Sequence, residues 1–161
     1  MRVNVAIGLG GNIGNVQHRF SAVREQMSAF LGQVTMAPVF ITAPVDCVPG
    51  TPDFCNSALT GTFDGTPLEL LERCQAMERS FGRPICHSSR ESRTLDLDIL
   101  LFGEELVSLP QLIIPHPRLL VRRFALEPLA SIASEWRIPP AMTTVKECLA
   151  ALVSHEKSSR G

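Results

Sequence analysis

The stretch FCNSALTGTFDGTPLELLERCQAMERSFG, residues 54–82, changes period halfway along. Residues 54–63 read as a strand. From Thr66 the spacing becomes helical, with Thr66 as N-cap, Pro67 at the first helical position and Glu69 closing a capping box. Leu68, Leu71, Cys74, Met77 and Phe81 form an apolar face expected to be buried, and Gly82 ends the helix. On another face Gln75 and Glu78 lie three apart and become neighbours. The fold class then depends on which elements flank this strand and helix.

Upstream, VNVAIGL (3–9) reads as a first strand and GGNIGN as the turn after it. Asn15 caps a first helix on which Val16, Phe20, Val23, Met27, Phe30 and Leu31 recur until Gly32. VTMAPVFIT (34–42) is a second strand, and APVDCVPGTPD (43–53), too long and breaker-rich for a tight hairpin, a mobile surface loop. Downstream, the polar loop RPICHSSRES (83–92) leads into RTLDLDILLFG (93–103), a fourth strand. Beyond it, ELVSLPQLIIPHP holds an edge strand, short helices are expected around 118–121 and 125–133, and a terminal helix from about Thr144 frays into HEKSSRG. The order β-α-β-β-α-β predicts an α+β, ferredoxin-like core: a mainly antiparallel sheet with helices packed on it and extra C-terminal helices. Residues 1–155 form one domain and 156–161 a frayed tail.

Composition narrows the function. The chain has 161 residues, 45% of them hydrophobic, enough for one sizeable core. No apolar run reaches the roughly 18 to 20 residues of a membrane span, and the N-terminus lacks the long apolar core of a signal peptide. A cytoplasmic protein is expected. Five cysteines, Cys47, Cys55, Cys74, Cys86 and Cys148, include no CxxC pair, which argues against a disulfide framework or a zinc site. A net charge of -1 argues against a general nucleic-acid binder. Seven of the thirteen arginines cluster between positions 79 and 123, where their planar forks suit phosphate.

Asp96 and Asp98 stand out because they interrupt the most apolar stretch of the chain. Alternate residues of a strand share a face, so the two carboxylates point the same way, about 6.6 Å apart at the backbone. Leu95, Leu97, Ile99 and Leu101 take the other face into the core. Like charges so placed call for a cation, and Mg²⁺ suits one or two carboxylates plus waters and phosphate oxygens. The bland alternative is pairing with arginines or exposure to solvent. Arg83, Arg93, Gln75 and Glu78, placed at the same end of the fold, favour the metal. GLGGNIGN is a weaker signal: it lacks the Lys-Ser/Thr of a P-loop and the spacing of a dinucleotide fingerprint, and reads as a tight strand-to-helix turn. His116, Phe54, Asn56 and Phe124, taken singly, read as turn and core residues.

Together, RTLDLDILLFG, ERSFGR one loop earlier and IPHPRLLVRRFALEPL after it resemble the 6-hydroxymethyl-7,8-dihydropterin pyrophosphokinase family of folate biosynthesis, from the first strand to about residue 135. The resemblance implies transfer of the β,γ-pyrophosphoryl group of ATP to the pterin hydroxymethyl oxygen, with AMP released and two Mg²⁺ ions on Asp96 and Asp98. It implies that Arg83 and Arg93 grip the transferred phosphates, that His116 and Arg122 hold ATP phosphates, and that Gln75, Glu78 and Ile99 line the adenosine site. Phe54 and Phe124 would sandwich the pterin, Asn56 would read its polar edge, and Thr42 and Val45 would lie beside it. Loops 43–53 and 83–92 correspond to loops that close over ATP. ATP and the pterin are the implied partners of a monomer that binds neither nucleic acid nor membrane. The chain departs from the family with Arg90, Gln111, Pro117 and Gly11 where tryptophan, arginine, tyrosine and serine are usual. The rival readings are a metal-dependent nucleotidyl or phosphoryl transferase of another substrate, and a non-catalytic ferredoxin-like binding module.

Overall fold

The computed structural model describes residues 2–12, 14–43, 49–50, 52–81 and 95–160. In chain order these form β1 (Arg2–Gly11), α1 (Val16–Met27), β2 (Gly32–Met36), β3 (Phe40–Thr42), β4 (Phe54–Asp64), α2 (Pro67–Ser80) and β5 (Asp96–Phe102). A hairpin of β6 (Val107–Leu109) and β7 (Leu112–Ile114) follows, then a 3₁₀ turn (Leu119–Val121), α3 (Arg123–Ala133), the short pair β8 (Arg137–Ile138) and β9 (Thr143–Thr144), and α4 (Val145–Arg160). The main sheet has the order β2-β4-β1-β5, with β3 also on β4 and every pairing antiparallel. This is the α+β ferredoxin-like arrangement expected from the element order.

The sheet has a helical layer on each face. Val5, Ile7, Leu9, Leu97 and Ile99 meet Phe20, Val23 and Met27 of α1 and Leu70, Cys74 and Met77 of α2. On the opposite face Ala6, Ala58, Leu100 and Leu101 meet Leu126 and Leu129 of α3 and Val145 of α4. Both caps read from the sequence form: the Asn15 side chain accepts from the His18 backbone N–H at 3.1 Å, and the Thr66–Glu69 capping box is closed at both ends.

Four details differ from the sequence reading. The second strand is two, β2 and β3. Pro38, which has no N–H to donate, falls in the gap, where Ala37 instead bonds the Ala58 carbonyl and accepts from the Ser57 hydroxyl at 2.8 Å. The buried face of α2 comprises Leu70, Cys74, Met77 and Glu78, whereas Leu68 is 38% exposed, because the helix meets the sheet one step round from the stripe chosen by apolarity. A register shift opposite Ala6/Ile7 inserts one extra residue into β5, so Leu101 shares the α3 face with Leu100 instead of following Leu97 and Ile99. The expected edge strand is a separate β6–β7 ribbon. The terminal helix α4 runs from Val145 to Arg160, and among the described residues no helix is long and apolar enough to cross a membrane.

Candidate active site

β1 runs to Gly11, so Gly10 belongs to the strand that already held Gly8 and not to the turn expected to begin there. Their positions are informative. Gly10 pairs with Asn56 of β4 on one side and with Asp96 of β5 on the other, while Gly8 pairs with Ala58 and Asp98. Each aspartate thus lies one strand from a residue without a side chain, and the sheet face is left open between Asn56 and Asp96. A Cβ at Gly10 would approach Asn56 Oδ1 at 3.5 Å and Asp96 Cβ at 4.0 Å, ordinary contacts that would nevertheless begin to fill that opening.

Over this floor lies a cavity of about 540 Å³. Thr42, Phe54, Asn56, Asp96, Asp98, His116, Arg122 and Phe124 line it, together with Gly8, Gly10, Ser57 and Leu100. Eight residues chosen from the sequence are therefore brought together from three strands, the 3₁₀ turn region and the start of α3. Asn56, only 7% exposed, is oriented by the bond its Nδ2 donates to Thr42 Oγ1 at 3.2 Å, across the β3–β4 pairing. Asn12, also buried, donates to the Pro52 carbonyl at 3.3 Å and ties the end of β1 to the segment entering β4.

His116 is held against β5 by its backbone N–H on the Leu100 carbonyl at 3.1 Å. Its Nδ1 accepts from the Arg118 backbone N–H at 3.2 Å, which leaves the ring proton on Nε2, 3.8 Å from Asp98 Oδ1. Burial, and next the Arg122 guanidinium, hold the imidazole pKa below the ordinary histidine value, with Asp96 pulling the other way. His116 thus offers a neutral N–H donor at neutral pH. Arg122 lies over the Phe124 ring, its guanidinium carbon 5.4 Å from the centroid.

Among the described residues no group of three or more His, Cys, Asp or Glu could hold a metal ion. The cavity's own offer is the Asp96–Asp98 pair, which leaves the other coordination positions to water or phosphate oxygen. That donor set fits Mg²⁺, which keeps several waters and takes one or two carboxylates, better than a metal wanting a full protein cage.

Three residues expected at the adenosine site do not line this cavity. Ile99 sends its side chain to the opposite face, where it is 4% exposed in the core, because it alternates with the aspartates. Gln75 is exposed on α2, and Glu78 is buried with its carboxylate on the Leu97 backbone N–H. Arg83, Arg93 and Val45 lie outside the described residues, as do most of the two expected closing loops. The sequence reading missed Gly8 and Gly10, whose signal was alternation: glycines two apart, separated by the buried Leu9.

An α+β domain whose sheet turns two carboxylates into a cavity beside an arginine and two aromatics is the setting of a group-transfer enzyme. The chain belongs to the 7,8-dihydro-6-hydroxymethylpterin-pyrophosphokinase (HPPK) family, whose model matches residues 6–134, and it is a diphosphotransferase of that family. It is 35% identical over 137 residues to the 2-amino-4-hydroxy-6-hydroxymethyldihydropteridine pyrophosphokinase of Pseudomonas aeruginosa, covering 84% of this chain and 83% of that one. It is 37% identical over 139 residues to the Bacillus subtilis enzyme of the same name, covering 82% and 80%. Among solved structures, an HPPK-DHPS protein of Plasmodium falciparum matches with a TM-score of 0.75 at 14% identity. That match covers 98% of this chain but 42% of the longer protein, and it shows the fold alone.

Proposed function

We propose that the protein transfers the β,γ-diphosphoryl group of ATP to the hydroxymethyl oxygen of 6-hydroxymethyl-7,8-dihydropterin. The pterin hydroxyl releases its proton to solvent as its oxygen bonds to the β-phosphorus, the bond from that phosphorus to the α,β-bridging oxygen breaks, and AMP leaves. The observation that carries this reading is the shared cavity: Asp96 and Asp98 face the same space as Asn56, Thr42, Phe54 and Phe124. Phosphate chemistry and heterocycle recognition are therefore within reach of one another.

In this reading Phe54 and Phe124 supply the faces against which the flat ring stacks, and Asn56 reads its polar edge, held for that task by Thr42. Val45 would lie beside the ring. Asp96 and Asp98 would hold two Mg²⁺ ions, which when bound neutralise charge on the triphosphate and polarise the transferred phosphoryl oxygens. His116 would donate a hydrogen bond from Nε2–H to a phosphate oxygen without itself carrying charge, and Arg122, beside the Phe124 ring, would add a forked cation. Arg83 and Arg93 would clamp the transferred group, and Gln75 and Ile99, the latter through the backbone edge of β5, would border the adenosine. The protein would work as a cytoplasmic monomer on these two small molecules.

The test is the nucleotide product. Incubation with ATP, Mg²⁺ and the pterin alcohol, followed by phosphorus NMR, should show AMP and a pterin diphosphate in equal amounts. Stoichiometric ADP would instead establish a simple phosphoryl transfer and overturn the reading.

A further inference from the structure

Glu78 is 8% exposed and sits on the face of α2 that packs under the sheet, an expensive place for a carboxylate without strong hydrogen bonds. Its Oε2 accepts from the Leu97 backbone N–H at 2.7 Å, inside the protein. Leu97 is the residue between Asp96 and Asp98. Among the described residues, the strand that carries all three is at the edge of the main sheet, paired with β1 alone. An edge strand presents one row of backbone groups that no neighbouring strand restrains. The Glu78 carboxylate takes one of those groups, midway between the two residues that turn into the cavity.

We infer that Glu78 is a positioning residue for the aspartate pair, acting through the Leu97 amide. The inference rests on the reading of Asp96 and Asp98 as metal ligands. The peptide unit is planar, so restraining the Leu97 nitrogen restrains the carbonyl of Asp96 with it and limits rotation at both neighbouring Cα atoms. Both aspartates inherit that restraint, as metal ligands usually do from the groups hydrogen-bonded around them. Closeness to the pair shows independently at Cys74, one turn earlier on α2. Burial, with Glu78 and then Asp98 adding, pushes its thiol up to about 12. Glu78 does not line the cavity that holds the aspartates, and what joins it to them is the backbone of β5.

Two conservative variants separate the hydrogen bond from the charge. Glu78→Gln keeps the acceptor at full reach and removes the charge, whereas Glu78→Asp keeps the charge and withdraws the acceptor by one methylene. Met77→Ala, a core truncation beside it, controls for general loosening. Two readouts apply to the full chain. One is hydrogen exchange at the Leu97 amide in metal-free protein, and the other is calorimetric titration of Mg²⁺ in the presence of a non-hydrolysable ATP analogue.

Glu78→Asp should speed Leu97 exchange relative to Met77→Ala and weaken Mg²⁺ on the order of tenfold to a hundredfold, the usual loss when a partner of a metal ligand is removed. Glu78→Gln should hold both readouts within a few-fold of the parent. If Glu78→Asp matches Met77→Ala in both, the carboxylate is merely structural and the inference fails. If Glu78→Gln is as impaired as Glu78→Asp, its charge and not its hydrogen bond matters, and the inference fails again. If the parent forms ADP or no AMP, the proposed function fails, while Leu97 exchange still decides the role of Glu78.

Discussion

Asp96 and Asp98 are half-buried carboxylates on a strand whose other face is core, and the fold tolerates them because they open into a cavity instead of into packed side chains. Without a cation they repel each other, so truncating one should relieve the metal-free protein even as it disables the site. Asp98→Ala is expected to lower kcat by about a thousandfold, equivalent to several kcal/mol of transition-state stabilisation, with no fall in melting temperature when metal is absent. Calorimetric melts and product assays on the same preparation check both halves; a markedly lower melting temperature would mark the aspartate as structural. At the same scale, Arg123 contacts Glu127 and Glu156, and so serves to join α3 to α4. The exposed Arg118 instead acts on His116, helping burial and Arg122 to lower its pKa.

Among the elements, α2 has the clearest signal at its start and, near its end, the carboxylate that bonds the Leu97 amide. Its capping box satisfies two backbone donors reciprocally, with Thr66 N–H on Glu69 Oε1 at 3.0 Å and Glu69 N–H on Thr66 Oγ1 at 3.2 Å. Thr66→Ala should cost about 1 kcal/mol, which for a chain of this size is a fall of about 2–4 °C in Tm. Turnover should be unchanged, because twelve residues separate Thr66 from Glu78, about 18 Å along the helix. Denaturant or thermal melts beside steady-state rates test this, and a matching loss of activity would show the helix to be a more delicate support than a capped cylinder. β5 shows the opposite relation of local pattern to structure. Its alternation holds from Asp96 to Leu100 and then slips by one residue, which no property of Leu101 announces.

Across the whole molecule, the two aromatics proposed to face the pterin come from residues 54 and 124, seventy positions apart, one at the start of β4 and the other in the first turn of α3. They meet at the cavity only because α3 packs on the face of the sheet that carries Gly8, Gly10 and the aspartates. Phe54→Ala is therefore predicted to weaken pterin binding with little effect on an ATP analogue, since the ring contacts the heterocycle and leaves the phosphate groups alone. Aromatic stacking beyond area burial is worth about 0.5–1.5 kcal/mol, so a loss of roughly two- to tenfold is expected from that part alone. Separate titrations of the two ligands decide it, and an equal loss for both would identify Phe54 as a prop of the core.

What the sequence by itself determined was whatever depends on near neighbours. The two helix starts, the order of the core elements, the common direction of Asp96 and Asp98, and the motif RTLDLDI with its family resemblance are all written in short windows, because capping, strand alternation and ligand spacing are local physics. Only the tertiary structure decided the rest. Which stripe of α2 is buried depends on how the helix meets the sheet, and that contact makes Glu78 a partner of Leu97 where linear spacing offered Gln75 as its neighbour. Gly10 reads as the start of a turn until β4 and β5 flank it and make it, with Gly8, an open floor. Pairing across a sheet and packing between layers join residues that are remote in the chain, and the free energy of those contacts has no term that a window of ten residues contains.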